Sequence, residues 1–202
     1  GVTSNTFNIV APPPANDLCN NSISLSNGIS TSGTSISATY STLTSEPYTA
    51  NSDVWYVYTA INSGTVTVQC TNTASIDYDL FAYASTCPTV ATGIGSTPTS
   101  STTSETMTFS ATAGTTYYIR VVNSTNTTGS TFTINVSQAI ASPTLSSSSN
   151  ITCSSFVVNW SSVTSATSYK LDVATNNFPI SVSENFENSM SIFSNSGGTY
   201  YS

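Results

Sequence analysis

The stretch GTVTVQC (64–70) sets Val66, Val68 and Cys70 against Thr65, Thr67 and Gln69, a repeat with a period of two. Successive side chains of a β-strand point to opposite faces, so this pattern specifies a strand with one apolar and one hydroxyl-bearing face. The same period recurs along the chain in short runs separated by Ser, Thr, Asn and Gly turns. DVWYVYTA (53–60) is apolar on both faces, with Val54, Tyr56 and Tyr58 opposing Trp55 and Val57, which predicts a central strand. YDLFAYA (78–84), ETMTFSA (105–111), TTYYIRVV (115–122) and STFTINVS (130–137) continue the series, with weaker strands predicted at Ser22–Ser26 and Ser35–Tyr40. No window carries apolar residues at the helical period, and β-branched and aromatic residues dominate the apolar set. Strands at roughly 8–12-residue spacing predict an all-β chain, an antiparallel sandwich or barrel.

Proline divides the chain. APPPAN (11–16) reads as a stiff, extended linker, because consecutive prolines favour polyproline II, and QAIASPT (138–144) is a second break. The predicted organisation is a strand stub at 1–10, the linker at 11–16, a β-sandwich at 17–139 and a second, incomplete β-module at 140–202. In the second module FVVNW (156–160) places Phe156, Val158 and Trp160 on one face, and SYKLDV (168–173) does the same with Tyr169, Leu171 and Val173. GVTSNTFNIV (1–10) lacks the basic and long apolar regions of a signal peptide, so the chain is expected to be a mature or excised piece.

Charge excludes several functions. Only 5% of the residues are charged, against about 25% in an average globular protein, and Ser and Thr fill the gap. Arg120 and Lys170 are the only cations, and the net charge is −7. Nucleic-acid binding needs several phosphate-neutralising cations, and a polybasic membrane anchor needs more still. No apolar run reaches the roughly 18–20 residues of a membrane helix, so no membrane insertion is expected. A hydroxyl surface does little to repel its neighbours, which suits a protein that lies against other copies of itself or against a glycan coat.

Of the four cysteines, Cys19, Cys70, Cys87 and Cys153, none forms a CxxC pair, and without histidine no Cys/His zinc site can form. Their even number in a lysine-poor chain predicts disulfides and an oxidising, extracellular compartment, with the pairing open. Asn20, Asn123, Asn126, Asn135, Asn150 and Asn159 begin Asn-x-Ser/Thr sequons, candidate glycan sites of a secreted glycoprotein.

The strands carry a resemblance. APPPANDLCNNSISL (11–25), SDVWYVYTAINSGTVTV (52–68), SIDYDLFAY (75–83) and SATAGTTYYIRVVN…GSTFTINV (110–136) are similar, in order, to the motifs of the bacterial pre-peptidase C-terminal family. The likeness is greatest to the version in secreted, multidomain proteins of the Bacteroidota. It implies a small, non-catalytic, antiparallel jelly-roll-like/Ig-like β-sandwich that accompanies peptidases, glycosidases and adhesins. One departure is CPTVATGIGSTPTSSTTS (87–104), where the family often has an acidic turn, and this lessens any metal or ligand role inherited from that turn. The Trp-then-Tyr strands of the second module, joined by V-x-x-A-x-x-Y, resemble strands B and C of a fibronectin type III module.

The residues that could carry chemistry are few. Without histidine, no Ser-His-Asp or Cys-His arrangement is available, and TGIGST (92–97) lacks the length and the lysine of a phosphate loop. Asp77 and Asp79, two apart at a strand entry, read first as fold markers that start a strand. The competing reading is a structural Ca²⁺ near Asp77 and Asp79, with Asp53 as a third ligand. A glycosidase pair comes last, because it also needs a cleft. Trp55, Tyr56, Tyr58, Phe81, Tyr83, Tyr117 and Tyr118 could form a sugar platform, but their alternation predicts a core, with Tyr58, Tyr83 and Tyr118 the ones to test for exposure. No catalytic, cofactor-binding or metal residue is assigned, and no enzyme is predicted.

The two ends are alike in an informative way. GVTSNTFNIV (1–10) is similar to the closing strand TTGSTFTINV (127–136), and GGTYYS (197–202) to AGTTYYIR (113–120). This predicts that the stub of one copy completes the tail module of the next, head to tail, by strand addition or within a tandem array. The expected function is that of a structural or adhesive repeating unit of a cell-surface fibre or giant adhesin. The alternative is an accessory substrate- or carbohydrate-binding module of a secreted hydrolase.

Overall fold

The computed structural model describes residues 11–45, 52–97, 103–125, 128–146, 149–150, 156–163, 166–175, 178–184 and 189–191, with side chains up to residue 171. The chain divides into two compact units, Gly1–Ala139 and Ile140–Ser202.

The strands of the first unit are β1 (Ile23–Ser24), β2 (Ser30–Thr34), β3 (Asp53–Thr59), β4 (Gly64–Thr71), β5 (Tyr78–Ala84), β6 (Gly95–Ser96), β7 (Ser104–Ala111), β8 (Thr116–Asn123) and β9 (Thr131–Gln138). They form a five-stranded sheet, β1-β3-β8-β5-β6, and a four-stranded sheet, β2-β9-β4-β7. Every pairing is antiparallel except β1 with β3. This is the all-β sandwich that the alternation predicts.

Period two decides what fills the sandwich. Val54, Tyr56 and Tyr58 of β3, Tyr78, Leu80 and Ala82 of β5, and Tyr117, Ile119 and Val121 of β8 point inward. They meet Val66, Val68 and Cys70 of β4, Met107 and Phe109 of β7, and Phe132, Ile134 and Val136 of β9 in one core. The tilted rings of Phe109 and Tyr117, 4.9 Å apart, and of Tyr78 and Phe132, 5.0 Å apart, fill it. Gln138, at the end of β9, fastens one corner: its side-chain oxygen accepts from the Tyr58 hydroxyl (2.9 Å) and the Ile61 amide (3.0 Å).

The strand expected at Ser35–Tyr40 lies instead at Ser30–Thr34. Gly33 faces Phe132 there, and a Cβ at this position would meet the Tyr56 hydroxyl and, at 2.6 Å, the Phe132 ring. Ser35 ends the strand by turning its hydroxyl to that of Tyr78, 2.8 Å away. Ser37 then takes a positive φ of 60°, and the chain leaves the sheet.

The second unit contains β10 (Val157–Asn159), β11 (Tyr169–Thr175), β12 (Phe178–Glu184) and β13 (Ser189–Ser191), paired as two antiparallel ladders, β10-β13 and β11-β12. Trp160 packs on Tyr169, with ring centroids 5.8 Å apart, and the Tyr169 hydroxyl accepts from the Val163 amide at 2.8 Å. The stub (1–10) and the tail (192–202) lie outside the described residues.

Candidate functional site

Two surfaces of the first unit are unlike an ordinary sandwich. The first is the outer face of the five-stranded sheet, where β3, β5 and β8 are apolar as well. Trp55, Phe81, Tyr83 and Val122 form a second buried cluster with Leu43 and Ala91, and Cys19 and Tyr118 pack against it. Among the described residues no second sheet covers this cluster. Residues 14–22, 38–45 and 85–94 lie across it, and a disulfide joins Cys19 to Cys87. Cys70 is a buried free thiol, and Cys153 lies outside the described residues.

At the centre of this face is Arg120, the chain's only arginine, which is fully buried and ion-paired with the equally buried Asp53. Its guanidinium lies 5.1 Å from the Tyr40 ring centroid and 5.5 Å from that of Trp55. It donates to the Ser41 carbonyl at 2.8 Å. Ser41 is held twice more: its amide donates to the Asp53 carboxylate (3.0 Å), and its hydroxyl accepts from the Trp55 indole (3.0 Å). Burial pushes the Asp53 carboxyl above its ordinary value, against the downward pull of Arg120 and Ser41. The sequence signal for this cluster was a lone arginine inside the apolar run YYIRVV, since a charge there must be buried with a partner.

Asp79 lies on the same face. It and Asp53 both pair in register with Val122, from opposite sides. Asp79 is 2% exposed, while Asp77, at the strand entry, is half-buried and uses its backbone carbonyl to accept from the Ser124 amide and hydroxyl, both at 2.9 Å. The two acids therefore stand at the start of β5, with Asp79 buried and Asp77 partly open to solvent. Among the described residues no three His, Cys, Asp or Glu side chains converge as metal ligands. The aromatics are core: Tyr58 and Tyr83 are 2% and 4% exposed, and only Tyr118 of the candidate platform is half-buried. An open groove of about 430 Å³ beside the disulfide is walled by Cys87, Pro88, Val90 and Ile94.

The second surface is the outer face of the four-stranded sheet. Its outward side chains are Ser30, Ser32 and Thr34 of β2, Thr131, Thr133, Asn135 and Ser137 of β9, Thr65, Thr67, Gln69 and Thr71 of β4, and Ser104, Thr106, Thr108 and Ser110 of β7. Ser30, Asn135, Gln69 and Thr106 stand in one row across all four strands. None of these positions carries a charge. The same holds more widely: among the described residues of the first unit, Asp17, Asp53, Asp79, Glu105 and Arg120 are buried, leaving Asp77 as the one charged side chain reaching solvent. Among the described residues of the first unit, every charge but that of Asp77 is inside, and the outer face of the four-stranded sheet is made of hydroxyls and amides.

The sequons separate by environment. Asn20, on a 3-10 turn (Cys19–Asn21), and Asn150 are exposed, and Asn135 and Asn159 are half-buried. Asn123 is 1% exposed, and its side-chain oxygen accepts from the Thr125 amide (3.1 Å) and hydroxyl (2.9 Å), so in the folded chain it builds a turn. Asn126 lies outside the described residues.

No family model and no curated protein matches this chain. One solved structure with some likeness is the pre-peptidase C-terminal domain of a collagenase from Bacillus anthracis. It is 16% identical, covers 62% of this chain and 97% of that one, and aligns with a TM-score of 0.42.

Proposed function

We infer that the chain is a non-catalytic, extracellular structural or adhesive protein, a repeating unit of a cell-surface fibre or adhesin. The observation that carries this reading is the scarcity of surface charge among the described residues of the first unit, where Asp77 alone reaches solvent. Surface charge of one sign normally keeps proteins apart, and a surface dominated by hydroxyls and amides weakens that repulsion. On this reading the partners are other copies of the chain, arranged head to tail, and neutral surface glycans. The first unit then serves as a pre-peptidase C-terminal-like sandwich, and the second as a partial fibronectin type III-like module. Electron microscopy of the native material, with sedimentation of the purified chain over a concentration series, tests it. Filaments, or a mass that rises with concentration, are expected. A monomer at all concentrations with no fibres on the native surface would overturn the reading.

A further inference from the structure

The three segments over the outer face of the five-stranded sheet are tied to one another in a ring. Residues 14–22 meet residues 38–45 where the Asp17 carboxylate accepts from the Thr39 amide (2.6 Å) and hydroxyl (2.7 Å). Residues 38–45 meet residues 85–94 through the Thr44–Val90 bridge: the Thr44 amide donates to the Thr89 carbonyl and the Ala91 amide to the Thr44 carbonyl, both at 2.9 Å. Residues 85–94 return to residues 14–22 through the Cys19–Cys87 disulfide. Two links of the ring are hydrogen bonds, and the third is covalent.

The ring has anchors as well as links. Ser41 pins the middle segment to Asp53, Trp55 and Arg120. Asn16 exchanges backbone and side-chain bonds with Trp55, and the Ile94 amide donates to the Ala82 carbonyl at 2.8 Å. Between these anchors, residues 17–22 and 85–91 contribute little buried apolar surface: Ala91 is buried, and Cys19 is partly buried. The inner core has no member from either span. Cys19 and Cys87 are both half-exposed, so a thiol can reach them, whereas Phe81 and Tyr83 beneath are buried.

We propose that this ring is a redox-closed lid: oxidation of Cys19 and Cys87 shuts it, and reduction frees residues 17–22 and 85–91 while the two-sheet sandwich stays folded. Closure is thiol–disulfide exchange with an oxidised dithiol partner. The thiolate of one cysteine attacks a partner sulfur to form a mixed disulfide, and the thiolate of the other displaces it. Two electrons and two protons pass to the partner, which leaves as a dithiol. Opening is the reverse, driven by a dithiol; a phosphine used as reductant gives the same two thiols, with water supplying the oxygen of the phosphine oxide. The lid follows from geometry alone and stands apart from the adhesive reading. It makes the cover over Phe81 and Tyr83 a property of the oxidised chain, while the reduced chain shows them.

The test is hydrogen exchange read by mass spectrometry on the intact chain, with and without a phosphine reductant. A Cys19→Ser/Cys87→Ser variant is run without reductant, to separate this pair from Cys153. Expected is at least tenfold faster exchange in peptides covering 85–91, with no change in peptides from β4 and β9, and new binding of an apolar dye. The serine variant is expected to match the reduced chain. Equal protection in both redox states would overturn the proposal, because the hydrogen-bonded links alone would then keep the lid shut. Loss of protection throughout would also overturn it, because the disulfide would then hold the whole sandwich. A serine variant that behaves like the oxidised chain overturns it as well.

Discussion

The two sheets of the first unit are built from similar strands yet end in different surroundings. In β4, β7 and β9 of the four-stranded sheet, inward and outward positions alternate, so one face enters the core and the other meets water. In the five-stranded sheet, β3, β5 and β8 are buried along nearly their whole length, so both faces must be covered. The first arrangement needs one partner layer and the second needs two. Chain with no regular structure supplies the missing layer, and such chain has few apolar side chains to hold it. It is therefore fastened by polar contacts and a disulfide. The lesson is that a strand apolar on both faces demands a covering, and that loops which look solvent-bound can provide it.

The largest effect expected from breaking this contrast is at Arg120. Arg120→Ala leaves Asp53 buried without its ion pair and removes the Ser41 tether, and breaking a buried pair costs about 3–5 kcal/mol. Urea unfolding should show a correspondingly lower midpoint. The double change Asp53→Asn/Arg120→Met, which removes both charges, should recover more than half of the loss. If the single change costs under 1 kcal/mol, the ion pair is not what pins the outer layer.

Much of this architecture was legible in the sequence, and the parts that were not share a cause. The strands of the sandwich that carry alternating apolar residues, β3 to β5 and β7 to β9, follow from their period. β2, with the sequence STSGT, has no apolar side chain to alternate, and its position depends on the slot between Tyr56 and Phe132 that only Gly33 fits. The covering segments were unreadable for the same reason. Leu43 and Ala91 are their chief buried apolar residues, and neither belongs to a periodic run. At the candidate site, the Asp77–Asp79 pair stood out because acids are rare. What places Asp79 under cover is its register with Val122, which spacing along the chain does not reveal. The disulfide partners were likewise set by folding: Cys19 and Cys87 are 68 residues apart, brought together over the sheet.

The core shared by the two sheets gives a test of intermediate size, because alkali acts on groups from both. Burial, with Glu105 nearby, pushes the Cys70 thiol from 9.0 up to about 12, and burial pushes the Tyr56 hydroxyl from 10.0 to about 12. Both are raised, so their contribution to stability is complete below their unfolded values. It is lost as pH rises, since the unfolded chain ionises first. At pH 11 the loss is about 3 kcal/mol from Cys70 and about 1 kcal/mol from Tyr56. Cys70→Val, of similar size and without a titrating group, should flatten the fall in melting temperature between pH 9 and 11. An unchanged slope would show that Cys70 ionises as freely in the folded chain as in the unfolded one.

The smallest effect on stability, and the sharpest contrast between the sheets, is expected on the hydroxyl face. Thr67 and Thr108 are register partners on β4 and β7, with side chains directed to solvent. Thr67→Lys with Thr108→Lys should change stability by about 0.5 kcal/mol or less per site, apart from a mild repulsion between the neighbouring ammonium groups. A lysine placed across the sandwich at Phe81, which is 7% exposed, buries an unpaired charge and belongs to the class that exceeds about 4 kcal/mol. Melting curves of the two variants measure the difference between a face that needs no cover and one that has it. The lysine pair also bears on the uncharged surface, because it adds charge without disturbing the fold. If copies associate through that face, sedimentation should show weaker self-association in the pair variant at low salt, restored as salt screens the added charge. An association that ignores both the lysines and the salt would move the contact to another part of the molecule.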